Sequence, residues 1–146
     1  IYGGMPAVPG REYRAFAWLA GRRQPHRVLA QVPDDFDRDL RCLVVTPVSG
    51  SRGVYGSIGF AGGWALPRGC AVVYTDKGAG TDVFDFDTGS GVALDGTRAA
   101  AGSVPLGFEP GGGRPDAPHR VAYRHAHSQE NTEADWGLHT LQAMRF

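Results

Sequence analysis

Two apolar runs of matching pattern constrain this chain more than anything else in it. Cys42-Leu-Val-Val-Thr-Pro-Val-Ser-Gly50 and Cys70-Ala-Val-Val-Tyr-Thr-Asp-Lys-Gly78 each begin on a cysteine, carry a Val-Val pair and reach a glycine eight positions later. Runs of this length without polar alternation read as strands buried on both faces, which is the signature of a parallel pair. The segment between them, Gly56 to Pro67, carries Ile58, Phe60, Ala61, Trp64 and Ala65 and predicts a short crossover helix weakened by Gly59, Gly62 and Gly63. In open α/β sheets ligands bind beyond the carboxyl ends of such strands. The loops that follow Pro47 and Thr75 are therefore where chemistry is expected.

Upstream, Tyr13 to Leu19 and Arg27 to Val32 alternate as strands, and Gly21-Arg-Arg-Gln-Pro25 between them predicts an antiparallel hairpin. Residues 88–118 shift to Gly, Ala, Pro and Asp and read as one long loop or lid. Val121 to His125 reads as a short extended piece. Thr132 to Phe146 reads as a helix with Thr132 as N-cap, Asp135 completing a capping-box variant, and an apolar stripe of Gly137, Leu138, Leu141 and Met144 at helical spacing. The order is hairpin, strand, helix, strand, long loop, helix, and it stops where another parallel strand is expected. We read residues 1–146 as part of one larger α/β domain, truncated at both ends.

Composition narrows the function. With 15 basic and 15 acidic residues the formal charge is zero, which argues against nucleic acid or a polybasic membrane surface. No run approaches the about 20 apolar residues of a membrane span. Two cysteines are too few for a disulfide scaffold, and their spacing does not match a CxxC zinc motif. If the two central strands are neighbours, Cys42 and Cys70 come within bonding range. Two small buried thiols are the favoured reading all the same.

The glycine loop Ser49-Gly-Ser-Arg-Gly-Val-Tyr-Gly56 supports two chemistries. As a dinucleotide turn it resembles that of short-chain dehydrogenases, but Tyr55 breaks the spacing and the only lysine, Lys77, has Val73 where the catalytic tyrosine would stand. No cofactor is expected. As an oxyanion hole, the main-chain amides of Gly50, Ser51, Arg52 and Gly53 would stabilise the negative oxygen of an acyl-transfer intermediate. This chemistry suits an incomplete α/β-hydrolase-like fold, with the hairpin as strands one and two and parallel strands three and four joined by a crossover helix. No serine satisfies G-x-S-x-G, and in that fold the nucleophile would follow the helix on which the chain stops. Arg52 could hold a substrate carboxylate or form a structural salt bridge. Asp76 and Lys77, with Asp82, either bind substrate or form a surface ion pair. His119, His125 and His127 cluster without a convincing third ligand, so hydrogen bonding is favoured over a metal site.

Val8-Pro-Gly-Arg-Glu-Tyr13, Gln31-Val-Pro33, Ser49 to Gly56, Gly69 to Gly78, Asp95-Gly-Thr-Arg98 and His125-Ala-His-Ser-Gln129 through Gly137 together resemble the bacterial D-(-)-3-hydroxybutyrate oligomer hydrolases. The resemblance implies an amino-terminal fragment of a longer serine esterase. Its substrates would be dimers and short oligomers released from poly(3-hydroxybutyrate), and its location extracellular or periplasmic. Two alternatives stay open: an esterase resembling tannases and feruloyl esterases, and a noncatalytic α/β binding module.

Overall fold

The computed structural model describes residues 7–48, 52–79, 82–113, 115–125 and 131–146. Four strands form the main sheet in the order β1-β2-β4-β3: β1 Gly10–Ala17, β2 His26–Pro33, β3 Leu43–Pro47 and β4 Ala71–Thr75. The β1–β2 hairpin is antiparallel, from Gly10 opposite Pro33 to Ala17 opposite His26. Strands β3 and β4 are parallel, Leu43 beside Ala71 and Pro47 beside Thr75. Both central strands end where the sequence predicts, at Pro47 and Thr75.

Alternation along β2 and β4 divides the core. Leu29, Val72 and Tyr74 face the crossover, where Val54, Ala65 and Cys70 are buried with them and Ile58, Ala61 and Leu66 pack alongside. Val28 and Val73 face the opposite side and meet Ala143. Each such buried aliphatic side chain contributes about 1.5–3 kcal/mol. Because β4 is covered on both faces, its one polar group before Thr75, the Tyr74 hydroxyl, is satisfied by donating to Gln31 Oε1 at 2.8 Å.

The crossover is less regular than the expected helix. A 3₁₀ turn at Gly53–Ser57, a π turn at Ile58–Gly62, the short α1 at Gly63–Ala65 and a second 3₁₀ turn at Leu66–Arg68 follow one another. Five glycines weaken α-helix propagation here, and one of them sets the packing distance. A Cβ on Gly62 would lie 2.7 Å from Tyr74 Oη. Only glycine lets the crossover press this closely onto the sheet.

Three expectations change. Cys42 and Cys70 form a disulfide instead of remaining thiols, with Cα atoms 4.7 Å apart; parallel pairing of β3 and β4 places the residues just before both strands side by side. Within 88–118 lie two strands, β6 Ser90–Val92 and β7 Arg98–Ala100. With β5 Val83–Asp85 and β8 Val121–Tyr123 they build a second antiparallel sheet, ordered β7-β6-β5-β8, over Phe84, Leu106 and Phe108. The last helix, α2, spans Trp136–Met144 after a 3₁₀ turn at Glu133–Asp135, and neither Thr132 nor Asp135 makes a side-chain capping bond. Leu138, Leu141 and Met144 are exposed, while His139 and Ala143 turn inward. The small Ala143 fits the close-packed valine face of the sheet, and the larger side chains of the predicted stripe point away.

The disulfide closes a separation of 28 residues, for which loop-closure entropy stabilises the fold by about 3–4 kcal/mol. Cys70→Ser is expected to lower the unfolding free energy by about that amount, measured by urea titration of the oxidised chain. Reducing the wild type should bring it to the same value.

Candidate active site

The parallel strands deliver their loops to one edge. The Val48 amide donates to the Thr75 carbonyl at 3.0 Å, carrying the pairing one residue past β3. Gly50 and Ser51 lie outside the described residues. Arg52 is exposed, and the chain turns at Gly53 with φ +58°, the left-handed region that glycine enters without strain. A Cβ there would meet nothing within 4 Å. Among the described residues no acceptor is paired with the amide of Arg52 or Gly53. The first amides of a helical turn have no partner within it. Arg52 also forms no ion pair among the described residues, so the salt-bridge alternative finds no support there.

The loop after β4 departs from both roles considered for it, since Asp76 and Lys77 lie inside the protein, 1% and 7% exposed. Asp76 Oδ1 accepts from the amides of Arg27 at 2.9 Å and Gly78 at 2.8 Å. Burial still raises the Asp76 carboxyl above the ordinary range, outweighing those two bonds. Lys77 adopts φ +55°, donates its amide to Thr75 Oγ1 at 3.1 Å, and rests its ammonium 3.8 Å from the centre of the Trp136 ring. Asp82 does form an ion pair, but a buried one: Arg27 Nη2 reaches Asp82 Oδ1 at 2.8 Å. Arg27 also donates to the carbonyls of Leu94 at 2.8 Å and Ala93 at 2.9 Å.

Four further polar residues at this edge escaped the sequence reading: His26, Thr75, His139 and Gln142. Gln142 Nε2 donates to the Trp18 carbonyl, which turns its Oε1 toward His26 Nε2 at 2.8 Å. His26 therefore carries its proton on Nε2, and Nδ1 accepts from the Thr75 hydroxyl at 2.7 Å. The His139 ring stands 4.6 Å from that of His26. Its Nδ1 is buried with no hydrogen-bond partner among the described residues. Burial first, and then the neighbouring His26 and Arg124, push His139 down to about 4. Arg22 clamps Asp135 with contacts of 2.7 and 3.0 Å. One signal for this group was present in the sequence: Trp136, His139 and Ala143 share one helical face. Of the histidine cluster, His119 bonds Asp87 at 3.3 Å, His125 is exposed and His127 lies outside the described residues. Among the described residues no three His, Cys, Asp or Glu side chains could hold a metal ion.

At this edge the amides of Arg52 and Gly53 have no acceptor among the described residues, and the buried rings of His26 and His139 lie 4.6 Å apart. A family model described as 3HB-oligomer hydrolase matches residues 2–146. The chain belongs to the 3HB-oligomer hydrolase family. It is 46% identical over 153 residues to the D-(-)-3-hydroxybutyrate oligomer hydrolase of Cupriavidus metallidurans, covering 98% of this chain and 21% of that protein. Its namesakes in Paraburkholderia xenovorans and Cupriavidus necator are each 44% identical, over 98% and 100% of this chain and 22% and 21% of theirs. The chain thus spans about a fifth of the length of these curated relatives. No solved structure matches it.

Holding His139 neutral has a consequence for stability. Its folded value lies below its unfolded value of 6.5, so between pH 6.5 and about 4 the unfolded chain binds a proton that the folded chain does not. This contribution is intact above pH 6.5 and is lost as pH falls, with His26 acting in the same direction. Asp76, raised in the fold, acts in the opposite sense near its own titration. His139→Gln is therefore expected to flatten the fall in unfolding free energy between pH 6.5 and 4.5, followed by urea unfolding at each pH. An unchanged slope would assign the dependence to other groups.

Proposed function

We propose that the full-length protein is a serine carboxylesterase that hydrolyses dimers and short oligomers of D-3-hydroxybutyrate. What carries this reading is the family match along 2–146. The proposed fold is α/β-hydrolase-like, supported by the parallel β3–β4 crossover after an antiparallel hairpin. The catalytic serine, its histidine base and an orienting acid are assigned to sequence after Phe146, since the relatives are about five times as long.

In this mechanism the serine Oγ attacks the ester carbonyl while histidine takes its proton, and the carbonyl oxygen becomes an oxyanion. Collapse breaks the ester bond, and the histidine proton passes to the departing hydroxyl. Water, deprotonated by the same histidine, then releases the acyl group. The present chain contributes main-chain N–H groups from Gly50, Ser51, Arg52 and Gly53 to the oxyanion. The Arg52 and Gly53 amides without acceptors among the described residues support this assignment. Arg52, exposed and without an ion pair there, is available to substrate. Asp76 and Lys77 are better suited to fixing the loop beside the site than to touching substrate. The Cys42–Cys70 disulfide favours an oxidising compartment, periplasmic or extracellular.

The test uses full-length protein from periplasmic or culture-fluid fractions, assayed with 3-hydroxybutyrate dimer and with methyl ferulate. Dimer turnover should dominate, the 146-residue chain alone should cleave neither, and recovery only from cytosol would contradict the location. Ser51→Pro, which removes one N–H, should lower kcat by about 10²- to 10³-fold, whereas Arg52→Ala, which keeps its amide, should alter KM more than kcat. Preference for ferulate, or full kcat in Ser51→Pro, would overturn the reading.

A further inference from the structure

Helix α2 is apolar on both of its sides. Inward, Ala143 packs on Val28 and Val73, and the His139 ring stands against His26. Outward, Leu138, Leu141 and Met144 are 55%, 41% and 49% exposed, and Phe146 follows them at 55%. From Trp136 to Met144 there is no Asp, Glu, Lys or Arg to solvate that outer face. Single exposed leucines are ordinary on a protein surface. A helix that is apolar all round is the pattern of one enclosed on both sides.

Two hollows flank the helix and join its outer face to the sheet. The first, about 480 Å³, has a lining that includes Tyr13, Val32, Leu43, Val73 and Met144 and no charged side chain among the described residues. The second, also about 480 Å³, is lined by Ala17, Leu19, Leu138 and Leu141, with Gln142 and Arg145 as its polar members among the described residues. Phe146 lines both. Tyr13 and Leu43 are exposed, like the outer residues of α2, so the apolar surface runs from the helix onto the open edge strand β3. Contiguous apolar surface of this kind marks an interaction site.

The occupant follows from where the chain leads. The curated relatives are about five times as long, so most of such a protein lies outside residues 1–146. Phe146 stands between the two hollows, and backbone continuing past it therefore starts within the apolar surface. A segment joined there by covalent bonds is held at a high effective concentration, an advantage that a separate partner lacks. Arg145 is the one charge at the hollows among the described residues, so the surface selects for apolar side chains and not for a charge pattern.

We infer that the outer face of α2, with the two hollows beside it, is the docking surface for the part of this protein that follows Phe146, which fills the hollows with apolar side chains and encloses the helix. The inference does not rest on the esterase reading. It does bear on the edge where the chemistry is placed: Lys77, in the loop after β4, rests on the Trp136 ring at the start of the same helix, so enclosing α2 also steadies that loop.

The test uses full-length protein carrying Leu138→Cys or Leu141→Cys, with reaction of the added thiol with a maleimide timed above the wild-type background, natively and in urea. Native labelling should be slower than unfolded labelling by about tenfold or more, as for a position reached only through local opening. Labelling near the unfolded rate, as expected of an open helix face, overturns the proposal. Replacing Leu141 with p-benzoylphenylalanine then identifies the covering segment by photo-crosslinking and peptide mapping. Crosslinks should fall within one chain, on peptides that follow residue 146. Crosslinks to a second copy, to residues ahead of β1 or to no later peptide overturn the proposal. Should the Leu141 replacement fail to fold, the same replacement at Leu138 decides by the same outcomes. Neither readout depends on turnover, so absence of esterase activity would sink the functional reading and leave this one standing.

Discussion

Arg27 is the residue on which this architecture turns. Its backbone belongs to β2, its amide donates to Asp76, and its guanidinium reaches Asp82 and the carbonyls of Ala93 and Leu94. It lies over the Phe16 ring at 4.7 Å. One side chain thereby ties the main sheet, the loop after β4 and the second sheet together. The pair with Asp82 is buried, its side chains 13% and 8% exposed. Such a pair adds little net stability over an apolar replacement, but removing one partner leaves a buried charge uncompensated. Its value lies in specifying one arrangement.

Strand β4 is consequently fixed at both ends by different means. At its entry, Cys70 is bonded to Cys42 and so holds the start of β3 beside it. At its exit, Thr75 and Asp76 are gripped by His26, Arg27 and the loop amides. Between these points the strand is apolar and covered on both faces. The two loops at the carboxyl edge thus leave a rigid base, which is what the oxyanion donors proposed above would require. Lys77 on Trp136 extends the same stiffness to α2.

The main sheet was legible because the uninterrupted Val-rich runs of β3 and β4 announce a parallel pair, although only β4 is buried on both faces: β3 is the edge strand, with Leu43 and Pro47 exposed. The second sheet was not. Strands of three residues such as Val83–Asp85 and Ser90–Val92 contain too little alternation to register. For α2 the spacing of Leu138, Leu141 and Met144 announced a helix and misled about its face, because the close approach of the sheet favours Ala143. The glycine loop was visible as a motif. That Asp76 and Lys77 turn inward was not visible, since their partners Arg27 and Trp136 come from distant segments. His26 and His139 gave no local pattern either, for their pairing exists only once β2 and α2 are packed together.

Amide hydrogen exchange on Arg27→Met, which keeps the side-chain stem over Phe16 and removes the charge, tests this arrangement most directly. The expected result is a loss of about 3–5 kcal/mol in stability. Amides of Val83–Asp85 and Ser90–Val92 should lose protection ahead of those in β2 and β4. Unaltered protection across the second sheet would contradict the role assigned to Arg27.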